Sequence, residues 1–183
     1  AEASAVFVGK YVNSCPYLLR WVQVVVTITR TDGKMTQVAS RKLEYIPSGW
    51  EGCFSANATF RFAPGIKISR TIAHGVKAEN LQGRKLEGWE LEITDDDTVR
   101  ITGVASNPTN RSWGRLALRC DFFTRYGVYV GSVAGKFRQN ITVLKPGGDI
   151  VYDIHFDPKE AGYSARLLAD PQVRLIGEPL RHE

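Results

Sequence analysis

Val22-Gln23-Val24-Val25-Val26-Thr27-Ile28-Thr29, closed by Thr31-Asp32-Gly33-Lys34, decides how this chain folds. Apolar side chains recur at every second position from Val22 to Ile28, the period of a strand with one buried face. All residues of the segment except Gln23 are β-branched. Such side chains pack well on a pleated surface and crowd the preceding turn of a helix. Asp32-Gly33 supplies the positive φ that a tight hairpin needs. The segment is a strand that turns back on itself.

Ninety-four places further on, the pattern returns. Gly9 falls on Gly103, Asn13 on Asn107 and Gly33 on Gly127, while Val22, Val24, Val26 and Ile28 fall on Leu116, Leu118, Cys120 and Phe122. Phe7 falls on Ile101 in the same phase. A slip of one residue would turn every side chain to the opposite face, so agreement of phase over two strands carries information. Each half then has a second landmark, Tyr45-Ile46-Pro47-Ser48-Gly49 in the first and Leu144-Lys145-Pro146-Gly147-Gly148 in the second. An alternating strand follows each: Trp50, Phe54, Ala56 and Phe60, then Ile150, Tyr152, Ile154 and Phe156. The offset there is 99 to 100, which implies a longer loop or hairpin through Val128 to Gln139 in the second copy.

The expectation is an all-β chain of two β-sandwich modules, residues 1–70 and 89–160. Residues 71–88 join them, and a tail, 161–183, carries the strand candidate Val173-Arg174-Leu175-Ile176, suited to covering a sheet edge. Each half resembles the FxLYD-type, fibronectin-like or immunoglobulin-like modules of bacterial envelope proteins. The resemblance lies in Gly9 to Asn13, Asp32-Gly33 and Pro47-Ser48-Gly49, and in Trp89 to Asp95, Gly103 to Asn107, Cys120 to Phe122 and Lys145-Pro146-Gly147. It spans about residues 5–60 and 89–157. It implies two tandem immunoglobulin-like (fibronectin-like) modules in an extracytoplasmic protein, whether periplasmic, secreted or on the cell surface.

Composition is that of an ordinary globular chain, 43% hydrophobic and 23% charged over 183 residues. The longest apolar stretch, around Val22 to Ile28, is far too short to span a bilayer. Ala1-Glu2-Ala3-Ser4-Ala5 would suit a terminus left by a signal peptidase, and an arbitrary boundary would look the same. Charge is uneven. Residues 1–88 carry 12 Lys or Arg against 6 Asp or Glu, and residues 89–183 carry 12 against 13. Lys67, Arg70, Lys77, Arg84 and Lys85 concentrate the excess. A basic surface attracts acidic proteins, membranes or anionic polymers, and it also serves simply to keep a protein soluble. No arginine-rich arm, RNA-binding aromatic motif or phosphate-binding glycine loop is present, so nucleic acid is not an expected partner.

Candidate chemistry is sparse. Cys15, just after the first strand, and Cys53, near the start of the last strand of the first half, could reach one pole of a sandwich. A disulfide between them and two reduced thiols are both open readings. Cys120, in core phase, reads as a small buried hydrophobe. Asp153, His155 and Asp157 alternate on one strand face, which suits either a divalent cation or a solvated surface. Trp21 and Trp113 precede corresponding strands and are the expected exposed rings, able to anchor a protein or stack on a sugar. No nucleophile elbow or convergent triad is visible. The expected role is therefore a non-catalytic binding or scaffold protein acting through loops and sheet edges, with no cofactor. Its expected partner is a protein or an envelope polymer. A carbohydrate or cell-wall polymer module is the alternative, and a cation-dependent enzyme using Asp153, His155 and Asp157 comes last.

Overall fold

The computed structural model describes residues 2–40, 46–61, 64–77 and 80–180. Its regular elements among those residues are β-strands and two short 3-10 turns. The chain divides into two units, Ala1–Glu79 and Asn80–Glu183.

Unit one contains β1 (Glu2–Val12), β2 (Leu19–Thr29), β3 (Met35–Ala39), β4 (Glu51–Arg61) and β5 (Lys67–Lys77). β1 pairs antiparallel with β4, and a second sheet runs β3-β2-β5. The decisive segment behaves as its alternation dictates. Val22, Val24, Val26 and Ile28 are buried and pack against Phe54, Ala56, Ala58 and Phe60 of β4, so the two sheets face each other across one core. Gly33 takes a φ of 80° in the β2–β3 turn, where the Arg30 carbonyl accepts its N–H at 3.0 Å.

Unit two contains β6 (Gln82–Lys85), β7 (Glu90–Ile93), β8 (Val99–Ser106), β9 (Trp113–Thr124), β10 (Tyr129–Ala134), β11 (Lys136–Phe137), β12 (Val143–Leu144), β13 (Asp149–Phe156) and β14 (Leu168–Pro179). Its sheets run β11-β13-β8-β7 and β10-β9-β14-β6, with β12 against the start of β9. Ile101, Leu118, Cys120, Phe122, Ile150, Tyr152 and Ile154 form a core cluster separate from that of unit one.

The two units repeat one hydrogen-bonded frame. Asn13 is buried, and its Nδ2 donates to the carbonyls of Tyr17 and Ile46, both at 2.8 Å, while its Oδ1 accepts from the Cys15 N–H. Asn107 does the same with Arg111, Leu144 and Thr109. The early partners are 94 apart, as the sequence predicts, but Ile46 and Leu144 are 98 apart. Gly9 pairs with Phe54 and Gly103 with Tyr152, again 94 and 98. The second landmark therefore sits one to two places from the sequence alignment, because the two prolines are not equivalent. Tyr45, which headed that landmark, lies outside the described residues. The glycines are explained by what faces them. A Cβ on Gly9 would stand 2.6 Å from the Phe54 ring, and one on Gly103 would stand 2.5 Å from the Tyr152 hydroxyl.

Two boundaries differ from the sequence reading. β5 continues to Lys77 inside unit one, and β6 pairs with β14, so residues 71–88 are shared between the two units. The tail strand is not an edge cover. β14 lies between β9 and β6, with Val173 through Gly177 all buried. A strand buried on both faces shows little alternation, which hides it among short apolar runs.

Tyr152 yields a test of this core. Its side chain is fully buried, its hydroxyl has no hydrogen-bond partner among the described residues, and burial pushes the phenol up to about 12. Unit one has Phe54 at the same place. Removing an unsatisfied buried hydroxyl without changing shape relieves its desolvation cost. Tyr152→Phe should therefore stabilise unit two by up to about 1 kcal/mol, read as a raised denaturant midpoint with an unchanged m-value.

Candidate functional site

One end of unit one gathers four side chains of complementary chemistry. Asn13 pins the turn from Asn13 to Tyr17 through the bonds described above. Leu18 and Val22 are buried, which fixes the start of β2 against the core and leaves Tyr17 and Trp21 outside. Trp21 takes a φ of 55° where the ladder with β5 shifts register between Arg20 and Gln23. Arg115, its counterpart in unit two, has a φ of 50°, so this left-handed bulge belongs to the shared frame. The bulge leaves the Trp21 side chain 41% exposed.

Cations cover both rings. The Arg20 guanidinium lies 4.1 Å from the Trp21 ring centroid, and the Lys77 ammonium lies 5.3 Å from that of Tyr17. Leu19 pairs with Lys77 across the β2–β5 ladder, which holds the two aromatic–cation pairs at the same end of the sheet. Arg20 Nε is buried without a hydrogen-bond acceptor among the described residues. A hydrogen bond with the Cys15 thiol, reinforced by that group's charge, holds the Tyr17 phenol above its ordinary value. The patch thus presents two rings and two cations. That chemistry favours an acidic ligand.

The other sequence candidates scatter. Lys67 and Arg70 are exposed on β5, with Arg70 reaching toward Gly9 of β1. Arg84 and Lys85 are exposed on β6 in unit two, where Arg84 donates to the Ser106 carbonyl at 2.8 Å. Trp113 is not exposed. It is 5% accessible and belongs to the unit-two core, although it precedes its strand much as Trp21 precedes its own. It is in fact the counterpart of the partly buried Leu19. Trp113 pairs with Leu144 as Leu19 bridges to Ile46, so its ring faces inward.

No bridge joins Cys15 to Cys53. Cys15 is half-buried and hydrogen-bonded within the Asn13 turn, whereas Cys53 is buried on β4. Burial pushes the Cys120 thiol well above its ordinary value, as suits an inert core side chain.

Asp153, His155 and Asp157 do not converge on a cation. Arg100 grips the Asp153 carboxylate with two nitrogens, Nε at 3.1 Å and Nη2 at 2.6 Å, Arg138 approaches at 3.4 Å, and His155 Nε2 lies at 3.1 Å. A carboxylate already met by two guanidiniums has little to offer a metal. Asp157 is occupied elsewhere, accepting from the Lys159 N–H as the cap of the first 3-10 turn. Among the described residues no group of three or more His, Cys, Asp or Glu could hold a metal ion. The hydrogen bonds from Arg100 hold the Asp153 carboxyl below its ordinary value. This contribution to stability is full above the unfolded carboxylate pKa of about 3.9 and fades as pH falls through the lower folded value. The midpoints of wild type and Asp153→Asn should therefore differ at neutral pH and converge in strong acid.

The sequence reading missed one buried cluster. Asp121 is 2% exposed and Arg174 4%, and they pair at 2.9 Å across the β9–β14 ladder. Arg119 Nε approaches the same carboxylate at 3.5 Å, Ser132 donates to it, and Tyr129 shares a hydrogen bond with Ser132 at 2.7 Å. Asp121 stands in outward phase between Cys120 and Phe122, so local alternation marks it as solvated. Only the pairing of β14 and β10 onto β9 shows otherwise.

Among the described residues no helix is long and apolar enough to cross a membrane. Comparison with protein-family models, with curated proteins and with solved structures returns no match.

Proposed function

We propose that this chain is a non-catalytic binding or scaffold protein built of two immunoglobulin-like modules. In this reading it contacts an acidic protein or anionic polymer through Tyr17, Arg20, Trp21 and Lys77. One observation carries the proposal: an exposed tryptophan set on a bulge with a guanidinium 4.1 Å from its ring centroid. Aromatic anchors beside Arg are the residues that dominate binding energy at protein interfaces. The charge distribution supports the same choice. Unit one carries 10 Lys or Arg against 5 Asp or Glu, which accounts for the whole net charge of +5. The immunoglobulin-like label and the extracytoplasmic setting rest on the sequence resemblance.

A carbohydrate-binding role is the second reading, favoured by the exposure of Trp21 and Tyr17. It is the weaker one, since sugar stacking needs an open ring face and a cation already lies over each ring. The test is titration of the protein, followed by tryptophan fluorescence, with polyglutamate, a polyphosphate-type polymer and a neutral polysaccharide. The proposal expects a salt-sensitive shift with the anionic polymers that Arg20→Ala, which keeps the Trp21 reporter, abolishes. A shift with the neutral polysaccharide alone would support the carbohydrate reading. No shift with any of them would remove both.

A further inference from the structure

Among the described residues the two units differ at one flank. In unit two, β7 extends the β8 edge and β6 extends the β14 edge, and both come from the single stretch Gln82–Ile93. β1 and β5 are the counterparts of β8 and β14. Among the described residues β1 pairs only with β4, and β5 only with β2, so the same flank of unit one ends in two open edges.

β1 is built to be paired on that flank. Its register with β4 runs without a shift from Glu2↔Arg61 to Val12↔Glu51, and it contains no proline and no bulge. It therefore carries none of the backbone devices that keep an edge strand from pairing. Its outer face exposes Val6 (64%), Val8 (47%) and Val12 (57%). β8, whose edge is covered, has Arg100, Thr102 and Ser106 at those places, with Lys10 and Val104 exchanged in the fourth. The open edge thus carries the apolar row and the covered edge the polar one, the reverse of what solubility alone would select.

We infer that the β1 edge takes up an extended segment of a partner protein, antiparallel as β7 is on β8. That segment carries apolar residues opposite Val6 and Val8 and acidic residues around them. Main-chain hydrogen bonds of this kind give affinity, and alternate side chains give specificity. In unit two the outward residues of β7 are Glu90 and Glu92, opposite Thr102 and Arg100. With valines in their place on β1, apolar side chains are the complement there. The acidic requirement comes from Arg70, whose Nη1 lies 2.9 Å from where a Gly9 Cβ would stand, and from Lys67 on the same open flank. The positive charge of unit one also disfavours a second copy as occupant. This surface is distinct from the Tyr17–Trp21 patch, and the inference does not depend on that patch.

The probe is a labelled peptide of residues 87–96, Glu-Gly-Trp-Glu-Leu-Glu-Ile-Thr-Asp-Asp, with Glu90→Val and Glu92→Val, titrated onto the full chain by fluorescence anisotropy. Amide exchange measured with and without peptide locates it. Saturable binding is expected, with new protection confined to β1 and with binding about tenfold weaker in Val6→Glu/Val8→Glu. Those two positions are exposed, and unchanged protection of β2 and β4 in the variant shows that it folds. Arg20→Ala/Trp21→Ala should leave peptide binding intact. Absence of new protection in β1 at saturating peptide, or equal binding by Val6→Glu/Val8→Glu, overturns the inference. So does a chain that sediments as a dimer with β1 already protected, since the occupant is then a second copy.

Discussion

Asp121→Ala is expected to destabilise unit two by roughly 3–5 kcal/mol, the effect of removing one partner from a buried ion pair. Arg174 is 4% exposed, and its Nη1 meets Asp121 Oδ2 at 2.9 Å. Its Nη2 also donates to the Gln172 side chain at 3.0 Å, a neutral acceptor that cannot replace a carboxylate. The substitution also removes the acceptor of Ser132 and a charge near Arg119. Denaturant unfolding of unit two, followed by exchange of the β9 and β14 amides, reads the loss. Asp121→Asn keeps an acceptor for Ser132 and should be milder. Asp121→Leu/Arg174→Met removes both charges together and should recover much of the stability, because the desolvation of each goes with it. A change below about 1 kcal/mol in Asp121→Ala would mean that Arg174 is hydrated or compensated in solution.

The second large effect belongs to Asn107. Its amide donates to the Arg111 carbonyl at 2.8 Å and the Leu144 carbonyl at 2.9 Å, and its oxygen accepts from Thr109 N and Thr109 Oγ1. Asn107→Ala removes all of these at a site 2% exposed and leaves backbone groups short of partners. Buried groups so orphaned cost about 1–3 kcal/mol each, and partial rehydration at the turn lowers the sum, so a loss of roughly 2–4 kcal/mol is expected. Asn13→Ala should weaken unit one through the equivalent bonds and should also loosen the turn that carries Tyr17. Asn107→Asp separates shape from chemistry, since it keeps the acceptor and loses both donated bonds. If it unfolds at the wild-type midpoint, the amide does not fasten this turn.

The frame that these residues hold was only partly legible in advance. Asn13, Asn107, Gly9 and Gly103 stood out as identities at turn and strand positions, and the strand phases of β2 and β9 followed from alternation alone. Their roles did not. The close approach of Gly103 to Tyr152 depends on a distant strand, and so does the Leu144 carbonyl that Asn107 gathers, 37 residues away. Trp21 and Lys77 were both visible as candidates, but their shared location depends on the Leu19↔Lys77 pairing. Trp113 misled because distance ahead of a strand says nothing about which way a ring faces once β12 has paired with β9.

Sequence by itself determined the all-β class, the tight turn at Asp32-Gly33, the alternate residues that fill the core in β2 and β9, and the first offset of 94. These are local properties, fixed by side-chain shape, two-residue periodicity and the freedom of glycine to adopt positive φ. Tertiary structure alone decided the offset of 98, the central place of β14, the burial of Asp121 with Arg174, the diversion of Asp153 to arginine, and the open β1 edge. Each depends on which distant strand supplies the second half of a hydrogen-bond ladder. Backbone donors and acceptors are alike at every residue, so a strand does not name its neighbour.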